Sequence, residues 1–171
     1  SENDALQINV LSGVLSIAAC LGAVAVIDKI GRKPLLLIGS AGMFVTLGVL
    51  AWCFSKAAMV DGALHLDDQT GLTALIAANA YVVFFNLSWG PVMWVMLGEM
   101  FPNQMRDSAL AVAGFAQWIA NFAISVSFPW MAATLGLVVT YGFYSVSALI
   151  SFFLVQAWVK ETRGRELEDM G

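Results

Sequence analysis

The chain has 171 residues, of which 60% are hydrophobic and only 12% charged, with a formal net charge of -4 and a mean hydropathy of +0.80. A water-soluble domain carries about 45–50% apolar and roughly 25% charged residues, because polar groups must cover its surface; this composition excludes such a domain and suits lipid. The acidic balance and the lack of any basic run exclude nucleic acid as a partner.

The chain starts Ser1-Glu2-Asn3-Asp4. With no initiator Met and no basic n-region it reads as a piece of something longer, without a visible signal peptide; residues 1–6 are expected as an external segment. A membrane-spanning helix needs about 20 mostly apolar residues to cross roughly 30 Å. Five runs meet this, at about 7–27, 34–54, 71–98, 108–132 and 135–159. None alternates with the two-residue period of a barrel strand. Since lipid offers the backbone no hydrogen bonds, each run is expected as a helix. The two cysteines, Cys20 and Cys53, fall inside apolar runs and read as small packing residues. Gly13, Gly22, Gly39, Gly42, Gly48 and Gly114 allow close helix approach or serve as ordinary packing.

Charge sorting sets an orientation. The first loop holds Lys29, Arg32 and Lys33, the third Arg106, and the tail Lys160, Arg163 and Arg165, so seven of the eight Lys and Arg share one side. That side is expected to be cytoplasmic. The N-terminus is then outside, and residues 160–171 form a cytoplasmic tail. The second loop, 55–70, has Lys56 against Asp61, Asp67 and Asp68; with His65 it reads as a solvated outer loop.

The third run is over-long and interrupted. Pro91 has no N–H and crowds the preceding turn, and Gly90 beside it loosens the helix, so a kink is expected there. Such a kink either lines a transporter site or is merely structural. Phe85, Trp89 and Trp94 surround it. Asn79 and Asn86 are seven residues apart and share a helix face. In the fourth run Gln117, Asn121 and Ser125 recur every four residues on one face, with Trp118 beside them. Polar side chains in a span face the bundle interior or a cavity. Amides offer both donor and acceptor, and Trp adds a flat stacking face and an N–H. That set suits a neutral polyol better than an ion or a lipid; hydrogen bonding between helices, with Trp as interfacial anchor, accounts for it equally. No nucleophile–base pair, metal-ligand set or cofactor motif is visible, so neither enzyme chemistry nor a cofactor is expected.

Five motifs, in order, carry a resemblance. They are Asp28-Lys-Ile-Gly-Arg-Lys33, Ser88-Trp-Gly-Pro-Val-Met-Trp94, Gly98-Glu-Met-Phe-Pro-Asn-Gln-Met-Arg106, Gly114-Phe-Ala-Gln-Trp-Ile-Ala-Asn121 and Glu161-Thr-Arg-Gly164. Together they resemble the sugar porter family of the major facilitator superfamily, and its bacterial xylose-type proton symporters in particular. The resemblance implies an all-α integral membrane protein with the major facilitator fold, this chain supplying the last five of twelve helices. It implies transport of a monosaccharide of the xylose or glucose type, with protons as coupling ion, by alternating access. It places the chain, as a multi-pass protein, in the lipid bilayer of a bacterial inner membrane. The preceding helices of the same transporter would be the partner that completes the pocket.

Carried over by position, Gln117 and Trp94 match sugar-contacting residues, and Trp118, Phe85, Gly90 and Asn121 match positions in or beside that pocket. Asn86 stands where family members carry Glu or a small residue. Asp28, Arg32, Lys33, Glu99, Arg106, Glu161 and Arg163 match charges that hold the cytoplasmic side closed. Glu99 and Arg106 are expected to meet across their short loop. Lys160 replaces the Pro of the family's tail motif. The other readings are a different major facilitator carrier, for a polyol or an organic acid, and a five-helix structural or assembly subunit.

Overall fold

A computed structural model describes residues 2–60 and 63–162; Arg163 and the rest of the tail lie outside the described residues. In chain order the elements are α1 (Glu2–Ile30), α2 (Arg32–Ser55), β1 (Ala58–Val60), β2 (Ala63–His65), α3 (Asp68–Leu87), α4 (Pro91–Met100), α5 (Asn103–Thr134) and α6 (Leu137–Trp158). With α3 and α4 counted as one broken span, five helices are long and apolar enough to cross a membrane. Most run past the apolar stretches that announce them. Asp28 and Lys29 still belong to α1, and Arg32 and Lys33 already belong to α2. A helix satisfies its own backbone wherever it runs, and long charged side chains at its ends reach water on their aliphatic stems.

Only Gly31 separates α1 from α2. Its N–H donates to the Ile27 carbonyl at 3.0 Å. Its φ of 100° lies in the left-handed region, where a side chain is strained.

The kink expected near Gly90 is a full break. Pro91 opens α4 as its first residue, where its missing N–H costs nothing. Across the break the Gly90 N–H donates to the Phe85 carbonyl at 2.9 Å and the Val92 N–H to the Ser88 carbonyl at 2.9 Å. The Ser88 hydroxyl donates to the Phe84 carbonyl at 2.6 Å. The Phe84, Phe85 and Ser88 carbonyls thus find partners within the protein, as the membrane interior demands.

Helix α2 is the centre of the bundle, packing most extensively on α6 and α3. It buries Leu35, Leu36, Gly39, Ser40, Met43, Thr46, Leu47, Leu50 and Cys53, a stripe at helical spacing. Gly39 and Gly42 mark the closest approach of α2 to α3. A Cβ on Gly39 would overlap the Ser88 side chain, and one on Gly42 would overlap the Phe84 ring. These two glycines therefore do more than fill space.

The loop between α2 and α3 holds a hairpin that the sequence reading missed. β1 and β2 pair antiparallel, with Ala58 opposite His65 and Val60 opposite Ala63. Strands of three residues are too short to show alternation; the available signal was Asp61-Gly62, a dipeptide favoured in hairpin turns.

Next to the hairpin, Asp67 caps α3 by accepting from the Thr70 N–H at 3.3 Å. Hydrogen bonding from Thr70, side chain first and backbone second, holds the Asp67 carboxyl below its ordinary range. A carboxyl with a depressed folded pKa stabilises above its unfolded pKa and loses that contribution as pH falls through the folded one. Asp67→Ala is therefore expected to speed amide exchange in the first turn of α3 near pH 7, and to make progressively less difference as the pH falls through the lowered range of the carboxyl. Equal exchange in both proteins at neutral pH would refute the cap.

Among the described residues α5 stands apart, since none of its residues is buried. Trp118 is 73% exposed, and Phe115 and Phe122 nearly as much. Large apolar side chains along a membrane-spanning helix meet lipid or a further helical surface.

Candidate functional site

Two constellations emerge, one at the helix break and one at the charged end. At the first, α4 leaves the break with Trp94 one turn past Pro91. The Trp94 indole lies against Gly114 of α5: a Cβ there would sit 3.4 Å from the far edge of the ring. Gln117 follows Gly114 by three residues and so shares its helix face. Its Oε1 is screened from solvent and has no hydrogen-bond partner among the described residues. A buried amide oxygen without a donor costs roughly 1–3 kcal/mol, so such an atom marks a place where a donor is awaited. Asn121 and Trp118 lie further along α5, both exposed.

The other amides are already engaged. Asn79 accepts from the Ser12 hydroxyl of α1 at 2.7 Å and donates to the Leu75 carbonyl at 2.9 Å. For Asn79 the helix-to-helix reading is the right one. Asn86 donates to the Val82 carbonyl of its own helix at 2.9 Å.

An apolar cavity of about 510 Å³ lies between α2, α3, α5 and α6, walled by Met43, Tyr81, Trp89, Phe128, Tyr144 and Ser151 among others. Of the residues expected at the sugar site only Phe85 lines it. Phe85 also stacks on Tyr81, with centroids 6.4 Å apart. Trp94, Gly90, Gln117, Trp118 and Asn121 lie outside this cavity.

At the charged end Arg32 is the hub. Its Nε donates to Glu99 Oε2 at 3.0 Å and its Nη2 to Glu99 Oε1 at 2.5 Å, a two-pronged match of guanidinium to carboxylate. Its Nη1 pairs with Asp28 at 2.9 Å. Thr162, just past α6, donates its hydroxyl to Glu99 at 2.7 Å. Glu161 accepts from the backbone N–H groups of Arg32 and Lys33 at 2.9 and 3.0 Å. A carboxylate there satisfies two orphan donors and the positive end of the α2 dipole. Lys33 Nζ donates to the Gln156 carbonyl at 2.9 Å. Gly31 admits this cap, because a Cβ on it would come within 2.6 Å of the Glu161 carboxylate. Residues far apart in sequence, Asp28 to Lys33, Glu99, and Glu161 with Thr162, thus meet at one end of α2.

One expectation is corrected. Glu99 pairs with Arg32 and not with Arg106; no hydrogen bond or ion pair joins Glu99 to Arg106 among the described residues. Phe101 and Pro102 are extended and turn the chain out of α4 into α5. Arg106, in the first turns of α5, keeps a buried Nε without a partner. The sequence reading gave no role of their own to Ser40, Ser88 and Thr162, although the last two stand within the motifs; Ser40 and Thr162 meet partners distant in sequence, and Ser88 bonds back to Phe84 of α3.

A bundle of helices able to cross a membrane, one of them broken, with charged motifs gathered at one end of its central helix, defines a class of multi-pass integral membrane proteins. All of residues 1–171 match the family described as Sugar (and other) transporter, and the chain belongs to it. The chain is 50% identical to the glucose transport protein of Synechocystis over 99% of its own length and 36% of that protein. It is 35% identical to the D-xylose-proton symporter of Escherichia coli K12, over 99% of its own length and 34% of the symporter. It thus spans about a third of the length of the curated relatives it matches. In the structure of the proton:xylose symporter XylE bound to 6-bromo-6-deoxy-D-glucose, 34% of the chain overlays 98% of this one, with a TM-score of 0.82 and 34% identity. The inward-open form of XylE from E. coli gives a TM-score of 0.80 and 34% identity over 97% of this chain and 35% of that one. The chain is therefore a multi-pass membrane protein with the fold of the major facilitator superfamily.

Proposed function

We propose that this chain is the C-terminal part of a proton-coupled monosaccharide transporter of the bacterial inner membrane, with its Arg32 end and C-terminus on the cytoplasmic side. The observation that carries the sugar reading is the buried Gln117 Oε1, unpartnered among the described residues, one turn along α5 from the Gly114 that meets the Trp94 ring. A sugar hydroxyl can donate to that oxygen while the flat C–H face of the sugar covers an indole. Phe85, Gly90, Asn86, Trp118 and Asn121 flank the same region, and the exposed face of α5 is where the preceding helices of the transporter complete the pocket. The relatives named for glucose, xylose and proton symport point to the same substrate class.

Alternating access is supported by the overlays. The bundle fits the sugar-bound and the inward-open XylE almost equally well, at 0.82 and 0.80, as a unit that rocks as a body would. The Arg32 cluster, with Asp28, Lys33, Glu99 and Glu161, is the latch of that motion. Arg106 and Arg163 are proposed to join it from α5 and the tail. The acidic residues of the described spans lie near their ends, at Asp28, Asp68, Glu99 and Asp107, so the proton would be carried by a residue of the preceding helices.

The test uses the complete transporter in cells or vesicles without other sugar uptake. Labelled glucose or xylose should accumulate, and a protonophore should abolish accumulation. Gln117→Ala is expected to weaken sugar binding about 3–10-fold, the worth of one hydrogen bond to a neutral partner. Unchanged affinity in a folded protein removes Gln117 from the site; uptake that ignores the protonophore removes the proton.

A further inference from the structure

The helix break is tied to α2 and α6 by a short polar relay that no motif announces. Trp89 is the middle residue of the break, and its Nε1–H donates to the Ser40 hydroxyl of α2 at 2.9 Å. Ser40 is fully buried, at 0% exposure. Its oxygen lies 3.2 Å from the Ser151 hydroxyl of α6, which in turn donates to the Ala148 carbonyl at 2.7 Å. One arrangement of the protons uses each donor once: indole N–H to Ser40, Ser40 to Ser151, Ser151 to Ala148. Each bond in such a line polarises the next.

Packing by itself leaves Trp89 under-constrained. One side of it rests on the core of Ile27, Leu35, Leu36, Val92, Met96 and Val155. Another side faces the 510 Å³ cavity, whose wall also includes Ser151. A ring beside an empty space has room to turn, so the hydrogen bond decides where it stays. Helix α2 packs on α6 more extensively than on any other element, which makes that pair a firm frame for the relay.

The geometry points to Ser40 as a positioning residue: through Trp89 it holds the α3–α4 break on the α2–α6 frame, and so sets where Gly90 and Trp94 stand. This rests on the transporter reading for its effect on sugar, but not for the relay itself. Ser40 touches nothing that a sugar would touch. Its loss acts by letting the start of α4 wander, and with it the indole that the sugar stacks against.

The experiment compares Ser40→Ala, Trp89→Phe and the double variant in the complete transporter. Trp89→Phe keeps a ring but removes the N–H, and serves should Ser40→Ala fold poorly. Each single change is expected to raise the KM for sugar about fivefold, with the maximal rate within about twofold. The double variant should be no worse than the worse single, because both cut one link. A merely structural role would lower the amount of folded protein and leave KM in place. The indole N–H resonance of Trp89, followed in Ser40→Ala, reads the relay without any sugar. Expected are a shift of that resonance and faster exchange of its proton with water. An unmoved resonance, KM values within about twofold of wild type, or fully additive effects would overturn the proposal. A wild type that takes up no sugar, yet shows the resonance shift in Ser40→Ala, would sink the transport reading and leave the relay standing.

Discussion

Replacing Gly39 by alanine will lower the thermal midpoint of the complete transporter in detergent by about 1–3 °C. In most helices this change is mildly favourable, since Ala is the better helix former by up to about 1 kcal/mol. At Gly39 the sign reverses. The added methyl would overlap the Ser88 side chain, which is itself buried and bonded to the Phe84 carbonyl. Ser88 cannot turn away without losing that bond, so α2 and α3 must separate. Overpacking of this kind costs roughly 1–3 kcal/mol. Gly13 is the internal control, because a Cβ there meets nothing within 4 Å. Gly13→Ala should be neutral or slightly stabilising. If Gly39→Ala proves as stable as Gly13→Ala, the close seam between α2 and α3 does not exist as described.

Arg32→Ala will shift the transporter toward its inward-open state. The substitution removes a forked pair to Glu99, a pair to Asp28, and the link from α2 to α4. It leaves the Glu99 carboxylate, one-third exposed, held only by the Thr162 hydroxyl among its described contacts. Removing one partner of a fully buried pair costs about 3–5 kcal/mol; partial access of water to Glu99 reduces this to about 1–3 kcal/mol. If that energy belongs to one conformer only, the ratio of the two states moves by about 5–150-fold. The readout is the rate at which an impermeant thiol reagent, supplied from the cytoplasmic side, modifies a cysteine placed at Ala109 in α5. The rate should rise in Arg32→Ala. Glu99→Gln should raise it less, since an amide oxygen still accepts from the guanidinium. An unchanged rate in both would mean that the cluster holds α2, α4 and the tail together in every state and gates nothing.

How much of this was legible beforehand depends on the range of the interaction. The spans were, because lipid imposes a local rule: each apolar segment must satisfy its own backbone. The break at Ser88–Gly90 was announced by Pro91, again through a contact with the preceding turn. Side-chain partners were not, and the amides show why. Helical spacing placed Asn79 and Gln117 in the same chemical class. Only the packed bundle separated them, by putting Ser12 of α1 beside Asn79 and no donor beside Gln117. The hairpin at 58–65 escaped because two strands of three residues carry almost no period.

The sequence by itself determined that this chain spans a membrane through five apolar segments, that the third bends near Gly90-Pro91, and which motifs mark its family. The tertiary structure alone decided which charges pair. Glu99 lies seven residues from Arg106 in the chain, yet it grips Arg32, 67 residues away, while Glu161 caps a helix that starts 129 residues before it. Nearness along the chain brings two charges together only if the backbone between them turns back. At Phe101 and Pro102 it runs extended instead, and the free valence of Glu99 falls to the helix end that the bundle has packed beside it.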